Sequence, residues 1–299
     1  MNSKPAPVVS AGRCGRPSTR QTVRSPLTGT RPRDGAAAGT VGRARRRLLA
    51  IAAIALTQLS ASWSAAAQDS AVAKESAAAQ ENAAAKEARQ AADRATALVA
   101  AWQPARNRDG IQVFTGNVDQ SRFDAVKVTT IFDNVKLNTL VAILRDREAC
   151  EDWVSRCREA YVVERINERE LIAYTRTDLP FPFRDRWLLS RSLWAQDPDT
   201  LAVTVHSEAI PRTVQENYSG VRVTDSQTTW WLEPLDDGAV RVTNITHVDP
   251  DVPLPAWLTN RLLVRGPFRT MANLVALSRD PRYVGQTVSF IEEPDGQAH

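Results

Sequence analysis

Two cysteines seven residues apart, Cys150 and Cys157, bracket a short polar stretch that contains Trp153. Thiols at this spacing can close a disulfide if the backbone brings their Cα atoms within about 7 Å; otherwise they are two free, buried thiols at one helical spacing. A metal site is not expected, because the chain has three histidines and none lies beside the pair. The sequence holds no G-x-S-x-G, no H-E-x-x-H, no G-x-G-x-x-G and no P-loop. His206 and His247 fall on different strand-like runs, where either could meet an Asp or Ser in space. A lone strand histidine is more often structural, so no catalytic residue and no cofactor are expected.

A second kind of chemistry is recognition by arginine. Alternation places Trp187, Leu189, Arg191 and Leu193 on one face of a strand-like run, and Ile172, Tyr174 and Arg176 on one face of the run before it. A guanidinium among large apolar side chains must be paired or must serve a polar group, since an unpaired buried charge is costly. Two readings stand. Arg191, with Arg176 or Asp178, holds the polar end of a mostly apolar ligand; or this face looks outward and its arginines form structural ion pairs.

These residues must be positioned by a sheet. Period-two alternation marks strands around Ile111–Val113 and Val126–Thr130, then over 159–167, 169–178, 186–196, 200–209, 223–235 and 239–248. Asn167-Glu168, Asp197-Pro198-Asp199 and Asp236-Asp237-Gly238 supply turn chemistry between neighbours, which demands antiparallel pairing. Trp230 and Trp231 are adjacent, so one must face inward. Helical spacing appears at 137–148 and again from Trp257 through Leu258, Leu262, Phe268, Met271 and Leu274 to Leu277. Gly266-Pro267 should kink or split that closing helix. The order specifies an α+β fold in which a curved antiparallel sheet buries one face against a long C-terminal helix, with room for an internal hydrophobic cavity. The domain is expected over 102–278, followed by a polar tail, 279–299, that is poorly ordered or lies along the surface.

Residues 68–101 are Ala, Gln, Lys, Glu and Arg with few large apolar side chains. That composition predicts a solvated helical spacer or a disordered linker. Before it, Arg43 and Arg45 to Arg47 precede an apolar run at 48–59 and then Ala65-Ala66-Ala67. This is the three-part layout of a secretory signal peptide, with cleavage expected after Ala67 and export to the periplasm or medium. Residues 1–40 are too irregular to fold and too long for the charged part of a signal; the expected start lies near Val41. The 1–67 segment carries eleven of the 38 basic residues and one acid, Asp34. The remainder has 27 basic and 33 acidic side chains, a formal charge of −6, which leaves no electrostatic footprint for nucleic acid.

Several short stretches, in order, resemble the START family, lipid-transfer domains with a helix-grip fold, over roughly residues 100–278. Trp102 with Asp109-Gly110-Ile111-Gln112-Val113 is similar to the family's opening strand, and Cys150-Glu151-Asp152-Trp153-Val154 to its Trp-bearing stretch. Pro180-Phe181-Pro182-Phe183-Arg184-Asp185-Arg186 resembles the turn and Asp-Arg pair before the central strand. Val221-Arg222-Val223, Trp231 and Pro234 are similar to the next hairpin. His247-Val248-Asp249-Pro250 and Leu254-Pro255-Ala256-Trp257-Leu258-Thr259-Asn260 resemble the entry to the closing helix. Trp187 stands where the family often has an acid, and Asp251-Val252-Pro253 follows Asp-Pro where it often has Gly.

The resemblance implies a monomeric carrier of a lipid or other hydrophobic small molecule. Its ligand-facing residues would include Tyr174, Arg176, Trp187, Leu189, Arg191, Trp231, Leu258, Leu262 and Met271. Phe181, Phe183, Leu254 and Trp257 would form gate loops able to touch a membrane transiently. The alternative implied is a helix-grip enzyme, of cyclase or hydrolase type, acting on a bound hydrophobic substrate.

Overall fold

The computed structural model describes residues 70–294 except 71, 73, 77, 80, 81, 84, 213–219, 251–258 and 261–262. The expected signal segment and cleavage site, together with Leu254, Trp257, Leu258 and Leu262, lie outside the described residues.

The fold is α+β. Its strands are β1 (Gln103–Arg108), β2 (Ile111–Gly116), β3 (Ala125–Phe132), β4 (Cys157–Asn167), β5 (Glu170–Thr177), β6 (Arg186–Gln196), β7 (Val203–Ala209), β8 (Val221–Arg222), β9 (Ser226–Pro234) and β10 (Val240–Val248). They form a 10-stranded sheet in the order β1-β2-β3-β10-β9-β7-β6-β5-β4, antiparallel throughout, with β8 joining β6 in parallel off that path. Short turns set the neighbours. Asp109 and Gly110 both adopt positive φ, 54° and 75°, which is the pair of left-handed residues that a two-residue hairpin requires. That turn creates β1, the first of three strands ahead of α2. Between β6 and β7 the Asp197 carboxylate accepts the amides of Asp199 and Thr200, fixing the turn locally.

The chain crosses from β3 to the far edge, β4, through α2 (Leu137–Arg145) and α3 (Cys150–Trp153). The closing helix, α4 (Arg265–Leu277), restarts after a turn at Val264. Gly266-Pro267 is thus accommodated in its first turn, where a proline's missing N–H has no helical acceptor to lose. Phe268, Met271 and Leu274 of α4 pack with Leu140, Val141 and Ile143 of α2 and with Val113 and Val128 of the sheet into one core.

Two expectations are corrected. The Ala-rich segment is not a solvated spacer throughout: its described residues up to 83 are helical and exposed, but the rest docks on the sheet. Residues 85–97 form a helix, α1, that buries Ala88, Ala91, Ala92 and Ala95, a stripe at helical spacing. Ala88 packs on Leu193 and Ala195 of β6, so small side chains let helix and sheet approach closely. The tail after Arg279 is not loose either. It runs back along the domain and buries Tyr283 and Ile291 in the core cluster. The Glu293 carboxylate accepts the amides of Leu137 and Asn138 at 3.0 and 2.7 Å, capping the start of α2, which has no side-chain cap of its own. Phe290 lies edge-on to Trp194 and beneath the guanidinium groups of Arg145 and Arg169.

Candidate functional site

A cavity of about 350 Å³ lies between the inner face of β4–β10, the α2–α3 corner and the start of α4. Which side chains line it follows from register. Thr175 pairs with Leu188, Ser192 with Ser207, Val205 with Trp230 and Thr228 with Thr246. Side chains at these positions point to the face that α2, α3 and α4 cover. The opposite face of β6 and its neighbours is the one on which α1 rests.

The apolar part of the wall comes from Leu144, Trp153, Val205, Trp230 and Leu263 among others, with Trp153 and Trp230 edge-on at 6.1 Å. The sheet side is unexpectedly polar: Thr175, Thr177, Ser190, Ser207, Thr228, Asn244 and Thr246 all contribute. Several of these satisfy each other. Thr228 and Thr246 share a hydrogen bond at 3.1 Å, the Thr246 hydroxyl donates to Asn244 Oδ1, and Ser192 and Ser207 meet at 2.8 Å. The cavity is therefore amphiphilic rather than uniformly hydrophobic.

Arg147, in the α2–α3 corner, also lines it. Its Nη2 donates to Ser192 Oγ at 3.1 Å, while its Nε is buried with no acceptor. Among the described residues no carboxylate forms an ion pair with it. Enclosure by protein pulls its pKa down to about 10, and the nearby charge of Arg145 acts in the same direction. The sequence reading passed over this residue; its one signal was a second basic side chain, after Arg145, immediately before the cysteine pair.

Cys150 and Cys157 are joined in a disulfide, with Cα atoms 5.8 Å apart, and both contribute to the cavity wall. The bond ties α3 to the first residue of β4 and so fixes the corner that carries Arg147.

The residues singled out on β5 and β6 are brought together, but on the other face. Tyr161, Tyr174 and Trp187 stack there in sequence, at centroid distances of 5.0 and 6.3 Å. Arg176 pairs with Glu159 and Asp185, and Asp178 with Arg156 and Arg158. Arg191 pairs with Glu170 and with Glu87 of α1. Leu189 is buried on that same outer face. The physical reason is that both faces of β6 are covered, one by α1 and one by the cavity-side helices, so apolar alternation did not distinguish inside from outside. Trp231 likewise faces outward, and its neighbour Trp230 takes the cavity side. Met271 belongs to the α4 core rather than to the cavity wall. Of the gate residues, Phe183 is half-buried, whereas Phe181 is 97% exposed in the connection that follows Thr177.

Neither strand histidine reaches the cavity. His206 is buried on the outer face with Nδ1 against Thr229 Oγ1 at 2.8 Å, and burial holds its pKa below the usual range. His247 Nε2 meets Ser121 Oγ at 2.9 Å, but Ser121 also accepts the Phe123 amide. His247 Nδ1 has no partner among the described residues, so no carboxylate orients the ring as acyl-transfer chemistry requires.

Residues 82–281, which include α1, match the family model of the START domain. The chain is 26% identical over 179 residues to an uncharacterised protein of Pseudomonas aeruginosa, covering 60% of this chain and 87% of that one. It is 22% identical over 161 residues to human START domain-containing protein 10, covering 54% of this chain but only 55% of that protein, about half its length. Among solved structures it is similar to a STAR-related lipid transfer protein from Xanthomonas axonopodis, with 26% identity, a TM-score of 0.55 and coverage of 60% and 98%. Human StAR-related lipid transfer protein 5 shares the fold at 15% identity, with a TM-score of 0.58 and coverage of 66% and 97%.

Proposed function

This chain belongs to the START domain family, and from that premise we propose that it binds one lipid or comparable hydrophobic small molecule in the cavity and carries it unchanged. The observation that carries the reading is the cavity itself, partly open to solvent and walled by Trp153, Trp230, Val205 and Leu263 beside the start of α4. Removing apolar ligand surface from water contributes about 25 cal/mol per Å², enough for tight binding with few polar contacts. Carriage rather than conversion is supported by the position of His206 and of the Ser121–His247 pair, which lie off the cavity wall. The Xanthomonas relative is described as a lipid transfer protein, which supports the same reading.

Loading takes the ligand in past the start of α4. Phe181, fully exposed beside a strand that lines the cavity, is the side chain placed to enter a membrane surface while this happens. The protein acts as a monomer outside the cytosol, where a bond such as Cys150–Cys157 persists. The leader's charged, apolar and small-residue parts support export.

Native mass spectrometry of the mature protein from its host tests this. The expected spectrum shows one amphiphile retained per chain. A ligand-free protein that turns over an ester or polyketide would instead establish the enzyme.

A further inference from the structure

Resting on that reading, we infer that the ligand is a single-chain amphiphile with an oxyanion head, a carboxylate or a phosphate, and that Arg147 receives the head. Three half-buried arginines of the sheet and α2 have acids: Arg145 has Glu168, Arg176 has Glu159 and Asp185, and Arg191 has Glu87 and Glu170, while Arg222, also half-buried, donates to the carbonyls of Ile210 and Arg212 away from the cavity. Arg147, half-buried like them, lines the cavity and has no acid paired to it among the described residues. The two acids among the residues lining the cavity, Asp146 and Glu208, are engaged by other groups. Asp146 accepts the Ala149 amide and the Tyr283 hydroxyl, and Glu208 turns to His206 on the outer face.

An uncompensated cation in a protein interior is strongly unfavourable. Here it is retained, with Nε unsatisfied and one Nη on Ser192, at the wall of a cavity large enough to admit a counter-ion. The planar guanidinium presents paired N–H groups that match the two oxygens of a carboxylate or phosphate. Ser190 and the Ser192–Ser207 pair add hydroxyl donors beside it. The size of the space argues for one chain: about 350 Å³ is at the low end of the range of roughly 300–1,000 Å³ typical of ligand pockets. Leu144, Val205, Trp230 and Leu263 then cover the hydrocarbon body.

The test is titration of the full mature chain with dodecanoate, dodecyl phosphate, dodecan-1-ol and inorganic phosphate, read by tryptophan emission, since Trp153 and Trp230 line the cavity. Wild type is expected to prefer both anionic amphiphiles over the alcohol by on the order of tenfold or more. Arg147→Met should abolish the preference while melting, without ligand, at or above the wild-type temperature, and Arg147→Lys should restore part of it. Equal binding of alcohol and dodecanoate by wild type overturns the inference and leaves the carrier intact. Failure of every amphiphile to bind overturns both. Inorganic phosphate binding as tightly as dodecyl phosphate marks a free-anion site and overturns the amphiphile assignment. Arg147→Met that fails to fold, or melts lower with its preference unchanged, marks a structural arginine and overturns it too.

Discussion

Arg191 and Glu87 are joined by two hydrogen bonds, at 2.7 and 3.2 Å, that fasten α1 to the outer face of the sheet. Glu170 binds the same guanidinium through Nε at 2.6 Å, so one arginine links α1, β5 and β6. These contacts hold the Arg191 pKa above its ordinary value, the Glu87 hydrogen bond contributing most. The residue that alternation offered as an anchor for ligand is an anchor for a helix.

Arg191→Ala should therefore loosen α1 without altering what the cavity binds. Both partners keep some solvent contact, so the expected loss is about 1 kcal/mol. Protease cleavage within residues 85–97 should accelerate while the affinity for a lipid probe stays constant. A selective loss of affinity with α1 still protected would return Arg191 to the ligand.

The tail should be part of the cooperative unit. Glu293→Gln removes a charge from two amides at the start of α2 and should cost about 1 kcal/mol, a fall of roughly 2–4 °C in melting temperature for a domain this size. Truncation after Asp280 should cost more, because Tyr283, Phe290 and Ile291 leave the core with it. Urea unfolding with unchanged midpoints would show that the tail merely rests on the surface.

Anion binding should depend on pH through Arg147. Its folded pKa, about 10, lies below the ordinary arginine value of 12.5, so in the ligand-free protein its charge opposes folding. That cost is fully present below about pH 10 and is relieved as pH rises further, and this group's effect on stability increases over the same interval. An anionic head needs the cation, so once the phosphate is fully ionised, above about pH 8, affinity for dodecyl phosphate should be flat up to about pH 10 and fall above it. The charged groups around Arg147 are Arg145, Asp146 and Glu208. Tyr283, hydrogen-bonded to Asp146, has its pKa pushed up to about 12. Calorimetric titration at several pH values checks this, and an affinity that is constant through pH 11 would contradict it.

The order of strands and helices was legible because turns such as Asp197-Pro198-Asp199 and Asp236-Asp237-Gly238 punctuate it and fix antiparallel neighbours. The break at Gly266-Pro267 was legible for the same kind of reason. The face of each strand was not. In β6, Leu188 and Trp194 lie on one side and Leu189 and Leu193 on the other, and the cavity side is the one with Ser190 and Ser192. A rule that sends the more apolar face inward selects the side beneath α1. The helix itself was hidden because alanines register weakly as an apolar stripe, although Ala88 is as buried as any leucine in the core. The tail's Tyr283, Phe290 and Ile291 fit neither strand nor helix period, so their burial shows only in three dimensions. Arg147 could not be told from Arg145 without knowing which of the two has an acid.

The most direct measurement fills the cavity from the face assigned to it. Ser190→Phe places a ring in the space while leaving Arg191, Leu189 and the docked α1 untouched. Wild type should take up one long-chain amphiphile per chain in a calorimetric titration, with the negative heat-capacity change of apolar burial. Ser190→Phe should keep a cooperative melt and show no uptake. Uptake by the folded variant equal to that of wild type would mean that the ligand lies elsewhere and would contradict the carrier built on this cavity.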